Sequence, residues 1–188
     1  MRVSQDEKDR SRSRIVTAAA RLLRERGTAG ASVADVMGEA GMTHGGFYRH
    51  FDTKEALLAL ALQAAFEGLQ SDLDRRFEDG TPEAAVAGFH TCYLSGGHVD
   101  RPGIGCPVAA AGADIGRGPD ALKRPFGEGV NRIVAALARG MKGSARARRA
   151  RAMRELAMLA GAVIIARASD PDTAREVLAA CRHAPGMA

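Results

Sequence analysis

Residues 31–55 of this 188-residue chain constrain its fold more than any other stretch. They read Ala-Ser-Val-Ala-Asp-Val-Met-Gly-Glu-Ala-Gly-Met-Thr-His-Gly-Gly-Phe-Tyr-Arg-His-Phe-Asp-Thr-Lys-Glu. Ser32 and Asp35 make a capping box that opens a short helix, with Val33, Val36, Met37 and Ala40 turned inward. Gly41 supplies the left-handed residue that ends it. Thr43 caps a second short helix that runs to about Arg49, and Phe47 and Phe51, four apart, are its buried anchors. Asp52-Thr53-Lys54-Glu55 is a further start signal and opens a long helix. The second short helix carries small and polar residues where a core helix would carry leucines.

The remaining pattern is helical throughout. Ile15, Ala18, Ala19, Leu22 and Leu23 share one face of a first helix, which Gly27 and Gly30 end. Leu58, Leu62, Phe66, Leu69, Leu73 and Phe77 keep a helical stripe along the long helix. Thr81 and Pro82 cap and open the next, and Ser95–Gly105, rich in Gly, Asp and Pro, reads as a loop. A short helix opens at Cys106-Pro107. Another follows Pro119, with Pro125 delaying or bending its first turns, and two close the chain over about Ala145–Ala168 and Pro171–Cys181. The expected fold class is all-α, with about nine helices. Residues 1–11, charged and without apolar period, read as a flexible arm.

The net charge of +5 suits a polyanionic partner without requiring one, since the first 60 residues hold ten Lys/Arg against eight Asp/Glu. Three scattered cysteines do not make a disulfide scaffold, and a reduced cytoplasm is the simpler expectation. The charged N-terminus does not read as a signal peptide, and no apolar run approaches the roughly 20 residues of a membrane span.

A helix that enters a major groove presents its N-terminal residues to base edges. Here these are Thr43, His44, Gly45 and Gly46. Two helical glycines cost about 1 kcal/mol each against alanine, which becomes reasonable where backbone must approach DNA closely; a plain loop is the competing reading. His44 and Arg49 are suited to bond a base edge or a phosphate. Lys54, in the first turn of the long helix, opposes the helix dipole, and a nearby phosphate would remove that conflict. The Ser32 and Thr43 hydroxyls suit both capping and phosphate donation. A satisfied surface role for His50, and purely structural roles for Ser32 and Lys54, are the plainer alternatives.

From Ser32-x-x-Asp35 through Gly41-Met-Thr-His-Gly-Gly-Phe-Tyr-Arg-His-Phe-x-x-Lys54 the sequence resembles the DNA-binding head of the TetR family of transcriptional regulators, over roughly residues 12–60. The resemblance implies a helix-turn-helix domain over 1–52 and a ligand-binding and dimerisation domain over 53–188. It implies a homodimer joined through the two last helices, on a pseudo-palindromic double-stranded operator, released by an unknown small-molecule effector. Tyr48 and His50 match family positions that touch phosphates. No enzymatic activity, cofactor, metal or membrane is expected. Many members carry Lys-Gly-Thr-Leu-Tyr where this chain has His44-Gly45-Gly46-Phe47-Tyr48, which shifts specificity toward His44, Thr43 and DNA shape.

In the body, Phe66, Phe89, Tyr93 and Cys106 are the candidate pocket residues. A thiol at a helix N-terminus can have a lowered pKa, which makes Cys106 a candidate electrophile or oxidant sensor; a small buried residue lining a pocket is the alternative. A cysteine enzyme using Cys106 with His90 or His98 lacks a strand-borne nucleophile and an oxyanion loop. A metal site from His90, Cys92, His98 and Cys106 matches no zinc spacing. Cys92 reads as core. The basic run from Arg139 to Arg154 reads as a solvated turn and helix face, with DNA flanks or an acidic-ligand entrance as lesser readings.

Overall fold

In a computed structural model, which describes residues 5–182, nine α-helices and three 3-10 turns follow one another, and no strand occurs among the described residues. They are α1 Gln5–Gly30, α2 Val33–Glu39, α3 Lys54–Asp79, α4 Pro82–Tyr93, α5 Gly96–Asp100, α6 Pro107–Arg117, α7 Lys123–Ala138, α8 Ala145–Ala168 and α9 Pro171–Arg182. The 3-10 turns cover His44–Arg49, Pro102–Ile104 and Asp120–Leu122. The expected all-α class holds. No helix among the described residues is long and apolar enough to cross a membrane.

Local chemistry sets the helix ends. Ser32 Oγ accepts the Asp35 N–H at 3.1 Å, Thr53 Oγ1 the Ala56 N–H at 3.1 Å and Thr81 Oγ1 the Ala84 N–H at 3.2 Å. Asp170 Oδ1 accepts the N–H groups of Asp172 and Thr173 at the start of α9. After α2, Gly41 takes φ +67°, so that Met42 N–H reaches Met37 O at 2.8 Å and Gly41 N–H reaches Gly38 O at 2.9 Å. That double bond closes the α2 carbonyls and turns the chain sharply toward the 3-10 segment.

The long helix α3 is the axis of the molecule and packs against α1, α4 and α7. Ile15, Ala19, Leu22 and Leu23 of α1 and Leu57, Ala61 and Leu62 of α3 are buried between the two. Deeper along α3, Phe66 is wholly buried and meets the Phe126 ring edge-on at 5.7 Å. A Cβ on Gly129 would lie 2.1 Å from that Phe66 ring, so only glycine lets α7 come this close. α8 and α9 pack on each other, and α8 also covers α7 and α6. His90 on α4 faces α8, with its Nε2 3.2 Å from Glu155 Oε2.

Several expectations need correction. The flexible arm is not one over its described part: α1 begins at Gln5, while residues 1–4 lie outside the described residues. The first turns of α1 project into solvent, so no apolar period marks them; a Gln5–Asp9 bond and an Arg10 bond to the Asp6 carbonyl support them instead. Ser95–Gly105 is not a plain loop: Ser95 Oγ accepts the His98 N–H and caps the one-turn helix α5, and a 3-10 turn follows. The segment after Thr43 is a 3-10 turn, with Gly46 N–H on Thr43 O and His50 N–H on Phe47 O. Two glycines and six residues are too little to hold α-helical geometry there.

Candidate nucleic-acid interface and cavity

The head is held from inside by α1. The Arg14 guanidinium donates to the Ala40 carbonyl at the end of α2, and Arg21 pairs with Glu39 and Glu25. Arg12 donates to the His50 carbonyl and lies 4.5 Å from the centre of the Phe51 ring. Phe47 and Phe51 are buried as expected, with ring centres 5.7 Å apart. Two of the three layers of the head are therefore fixed to the first by arginines, and the outer surface of the third is left free.

That outer surface holds Thr43, His44, Gly45, Tyr48 and Arg49, all exposed, with Gly46 and His50 half-buried. Tyr48 is 70% exposed although it is aromatic, and its ring only touches Phe47 edge-on at 5.2 Å. Thr43 sits at the N-cap position, yet its hydroxyl makes no capping bond, which corrects the expected cap and leaves the hydroxyl free. A Cβ on Gly45 would meet nothing within 4 Å, and one on Gly46 would make ordinary contacts, so internal packing requires neither glycine. Burial holds the His50 imidazole below its usual pKa, and the charges of Arg12, Lys8 and Arg49 add to the effect. A cluster of positive charge thus flanks the exposed edge. Ser32 and Lys54, half-buried, begin α2 and α3, and Ser32 spends its hydroxyl on Asp35.

A cavity of about 440 Å³ opens in the body between α3, α4 and the segment before α6, within the roughly 300–1,000 Å³ range of small-molecule sites. Ala64, Ala65 and Leu69 of α3 form one wall, and Phe89 of α4 and Ile104 complete the apolar lining. Arg24, Asp72, Tyr93, His98 and Cys106 supply the polar groups. Asp72 is engaged at both oxygens, with Arg75 on Oδ1 at 3.2 Å and Arg76 on Oδ2 at 3.0 Å. Of the expected pocket residues, Phe89, Tyr93 and Cys106 line the cavity. Phe66 instead fills the α3–α7 contact and is not among its lining residues.

Distant arginines hold the segment that closes the cavity. Arg24 Nε donates to Gly103 O at 2.8 Å, Arg167 donates to Val99 O at 3.0 Å and to His98 O at 2.8 Å, and Arg182 donates to Leu94 O. His98 is a neutral bridge: Nδ1 meets the Tyr93 carbonyl at 2.6 Å, and Nε2 accepts the Cys106 N–H at 2.9 Å. That pattern assigns the proton to Nδ1. Burial lowers the His98 pKa from its usual value, against the opposing pull of the Tyr93 carbonyl.

Cys106 sits at the N-cap of α6, as expected, and is wholly buried. Burial pushes its thiol pKa up, outweighing the contrary pulls of the Tyr93 hydroxyl, the Val108 and Ala109 N–H groups and the Arg167 charge. The expected lowered thiol pKa is therefore corrected: the dipole is present, but loss of solvation is the larger effect. Cys92, expected as core, is exposed and lines the same cavity. The Tyr93 hydroxyl lies against the Cys106 thiol, is buried and has no well-formed hydrogen bond.

Residues 15–61 match the profile of bacterial regulatory proteins of the tetR family. The HTH-type transcriptional repressor DhaR of Mycobacterium sp. (strain GP1) is 34% identical over 70 residues, which cover 37% of this chain and 35% of that repressor. Residues 15–61 are a tetR-family regulatory domain. In solved structures, reduced NemR of E. coli overlays with TM-score 0.75 at 18% identity, covering 91% of this chain and 94% of that one. A TetR-family regulator from Cytophaga hutchinsonii gives TM-score 0.75 at 22% identity, covering 97% and 95%. At those identities the overlays speak for the fold alone, over nearly the whole chain. The segment shared with the curated repressor spans about a third of its length.

The sequence-predicted head residues Thr43, His44, Gly45, Tyr48 and Arg49 come together on one exposed edge, and Ser32, His50 and Lys54 sit less exposed beside them. Sequence reasoning missed Lys8 and Arg12, which the N-terminal extension of α1 brings to His50. It also missed Arg24, Arg167 and His98 as builders of the cavity. The helix-forming composition of residues 5–11 was the one available signal for the first pair. The arginine–carbonyl bonds span 68 to 88 residues and leave no local trace.

Proposed function

We propose that the chain is a cytoplasmic homodimeric transcriptional repressor that binds a pseudo-palindromic operator and is released by a small molecule in the cavity. The observation that carries this reading is the exposed edge of Thr43, His44, Gly45, Tyr48 and Arg49, whose side chains make no hydrogen bond to other described residues. Thr43, His44 and the bare backbone of Gly45-Gly46 face base edges, while Tyr48, His50, Lys54 and Arg49 hold phosphates; Ser32, its hydroxyl engaged by Asp35, serves as the cap of α2. The DhaR relative is named a repressor, which supports the sign of control.

The dimer reading is supported by a stripe on α8. Met153, Ile164 and Ile165 are exposed at 38%, 44% and 48%, and exposed Ala157 lies in line with Met153. A partner's α8 and α9 would cover this stripe in a four-helix contact. The cysteine-enzyme alternative lacks a base. His98 has both ring nitrogens engaged with backbone groups, and His90 faces Glu155.

Selection of bound genomic fragments, followed by fluorescence anisotropy on the selected duplex, tests the proposal. Tyr48→Ala and Lys54→Ala each weaken binding by about tenfold while leaving the melting curve in place. Failure to enrich any sequence, or unchanged affinity in both variants, would overturn it. Thiol sensing at Cys106 is a second reading, favoured only by the position of the thiol in the cavity wall. Release of operator by an electrophile in wild type but not in Cys106→Ser would establish it; release unaffected by that change would remove it.

A further inference from the structure

We propose that the cavity selects a small molecule with an apolar body and a single anionic group, and that Arg24 binds that anionic group. This rests on the effector-release reading above and names the chemistry of the effector.

Arg24 lines the cavity and forms no ion pair among the described residues. Its Nε is spent on the Gly103 carbonyl, and its two Nη groups have no hydrogen-bond partner among the described residues. The neighbouring acid, Glu25, pairs with Arg21. Burial destabilises the Arg24 charge, and the nearby Glu25 carboxylate offsets this only in part. The planar Nη edge is shaped for a carboxylate or similar anion taken up bidentately. A second donor without an acceptor lines the same cavity: the Tyr93 hydroxyl, on a residue that is 3% exposed. A buried polar group in that condition is stabilised by a ligand that completes it.

The rest of the cavity sorts the candidates. Ala64, Ala65, Leu69 and Phe89 offer an apolar surface for the ligand body. Asp72 is the acid in the lining, but both its oxygens are already held by Arg75 and Arg76, so it neither calls for a cation nor cancels Arg24. A neutral apolar ligand would fill the volume but leave the Arg24 Nη groups desolvated without an acceptor, the costlier outcome. Arg24 belongs to α1, the helix that holds the head through Arg12, Arg14 and Arg21. A group bound there would act on the same side chain that ties α1 to Gly103.

The test is calorimetric titration of the full-length protein with octanoate and 4-phenylbutyrate, each beside its primary amide. The acids bind at least about tenfold more tightly than the amides in wild type. Arg24→Gln abolishes that preference, and Arg24→Lys restores part of it. Equal affinity for acid and amide, no binding by either acid, or an undiminished preference in R24Q would each overturn the proposal. The wild-type comparison stands even if R24Q fails to fold. Anisotropy on the operator separates the two readings. Acids that bind through Arg24 yet leave the complex intact support the site and refute effector release. Release by the amides with no response to the acids supports effector release and overturns the anionic class.

Discussion

At the head, the side chains of Thr43, His44 and Tyr48 make no hydrogen bond to other described residues and stand open to solvent. Between α4 and α6, by contrast, four backbone carbonyls (Leu94, His98, Val99 and Gly103) are each held by an arginine from a distant helix. The first region is prepared for a partner by what its residues leave undone. The second is prepared by what remote residues do to it: Arg24 comes from α1, Arg167 from α8 and Arg182 from α9. This segment is fastened to α1 and to both last helices, so under the proposed function it ties the cavity to the helices that carry the DNA edge and the dimer face. On that reading the coupling needs few steps, because one segment is bonded to the helices that carry both outputs.

The largest expected effect tests whether the open edge works through charge. With Lys8, Arg12, Arg49 and Lys54 on each of the two heads of the proposed dimer, up to about eight cationic phosphate contacts are available. Operator affinity then falls by about 10³–10⁵ between 50 and 200 mM salt. The double change Lys8→Ala with Arg49→Ala lowers the slope of log affinity against log salt in anisotropy titrations. A flat salt response would mean that the head is not a phosphate-gripping surface. Next, Gly129→Val forces side-chain atoms into the Phe66 ring and destabilises the body by about 3 kcal/mol in urea unfolding. A loss near zero would show that α7 moves away freely and that the α3–α7 contact is not a rigid base for the cavity.

Arg167→Ala addresses the fastened loop directly. It leaves the His98 and Val99 carbonyls without their donor and costs about 2 kcal/mol. Amide exchange should rise over residues 95–105 and not over 43–50. Equal protection in both regions before and after the change would erase the contrast between them.

How much of this was legible in the sequence follows from the same contrast. The head announces itself because its signals are local: Ser32 to Asp35, Gly41 at φ +67°, and Phe47 to Phe51 are all separated by four residues or fewer. Phe89, Tyr93 and Cys106 could be named for the cavity because aromatic and thiol side chains on helix faces are natural lining. Phe66 could not be told from them, since what removes it from the cavity is a glycine 63 positions away. Arg24 was hidden for a related reason. On a helical wheel it is one more solvated arginine, and only the return of Gly103 to α1 makes it a cavity residue. The lowered thiol pKa expected for Cys106 failed in its sign, while the alternative of a small buried residue lining a pocket held: the helix N-terminus was placed correctly, but sequence carries no measure of burial, and burial decides the direction of the thiol shift.

The smallest effect is a pH dependence confined to the fastened region. His98 is neutral in the fold because Nε2 accepts the Cys106 N–H, and a proton there would set donor against donor. Burial is the main cause of its lowered pKa, and the Arg167 charge adds to it. Between that lowered value and the ordinary 6.5, the unfolded chain carries a proton that the folded chain does not. The contribution is therefore complete above about pH 6.5 and is lost as pH falls through this window. Urea midpoints at pH 7.5 and 5.5 should show the wild type losing stability on acidification and His98→Gln losing less. His50 shifts in the same direction and accounts for part of the residual loss. If H98Q loses as much as wild type, the bridge from Tyr93 to Cys106 is incidental, and the loop is held by its arginines alone.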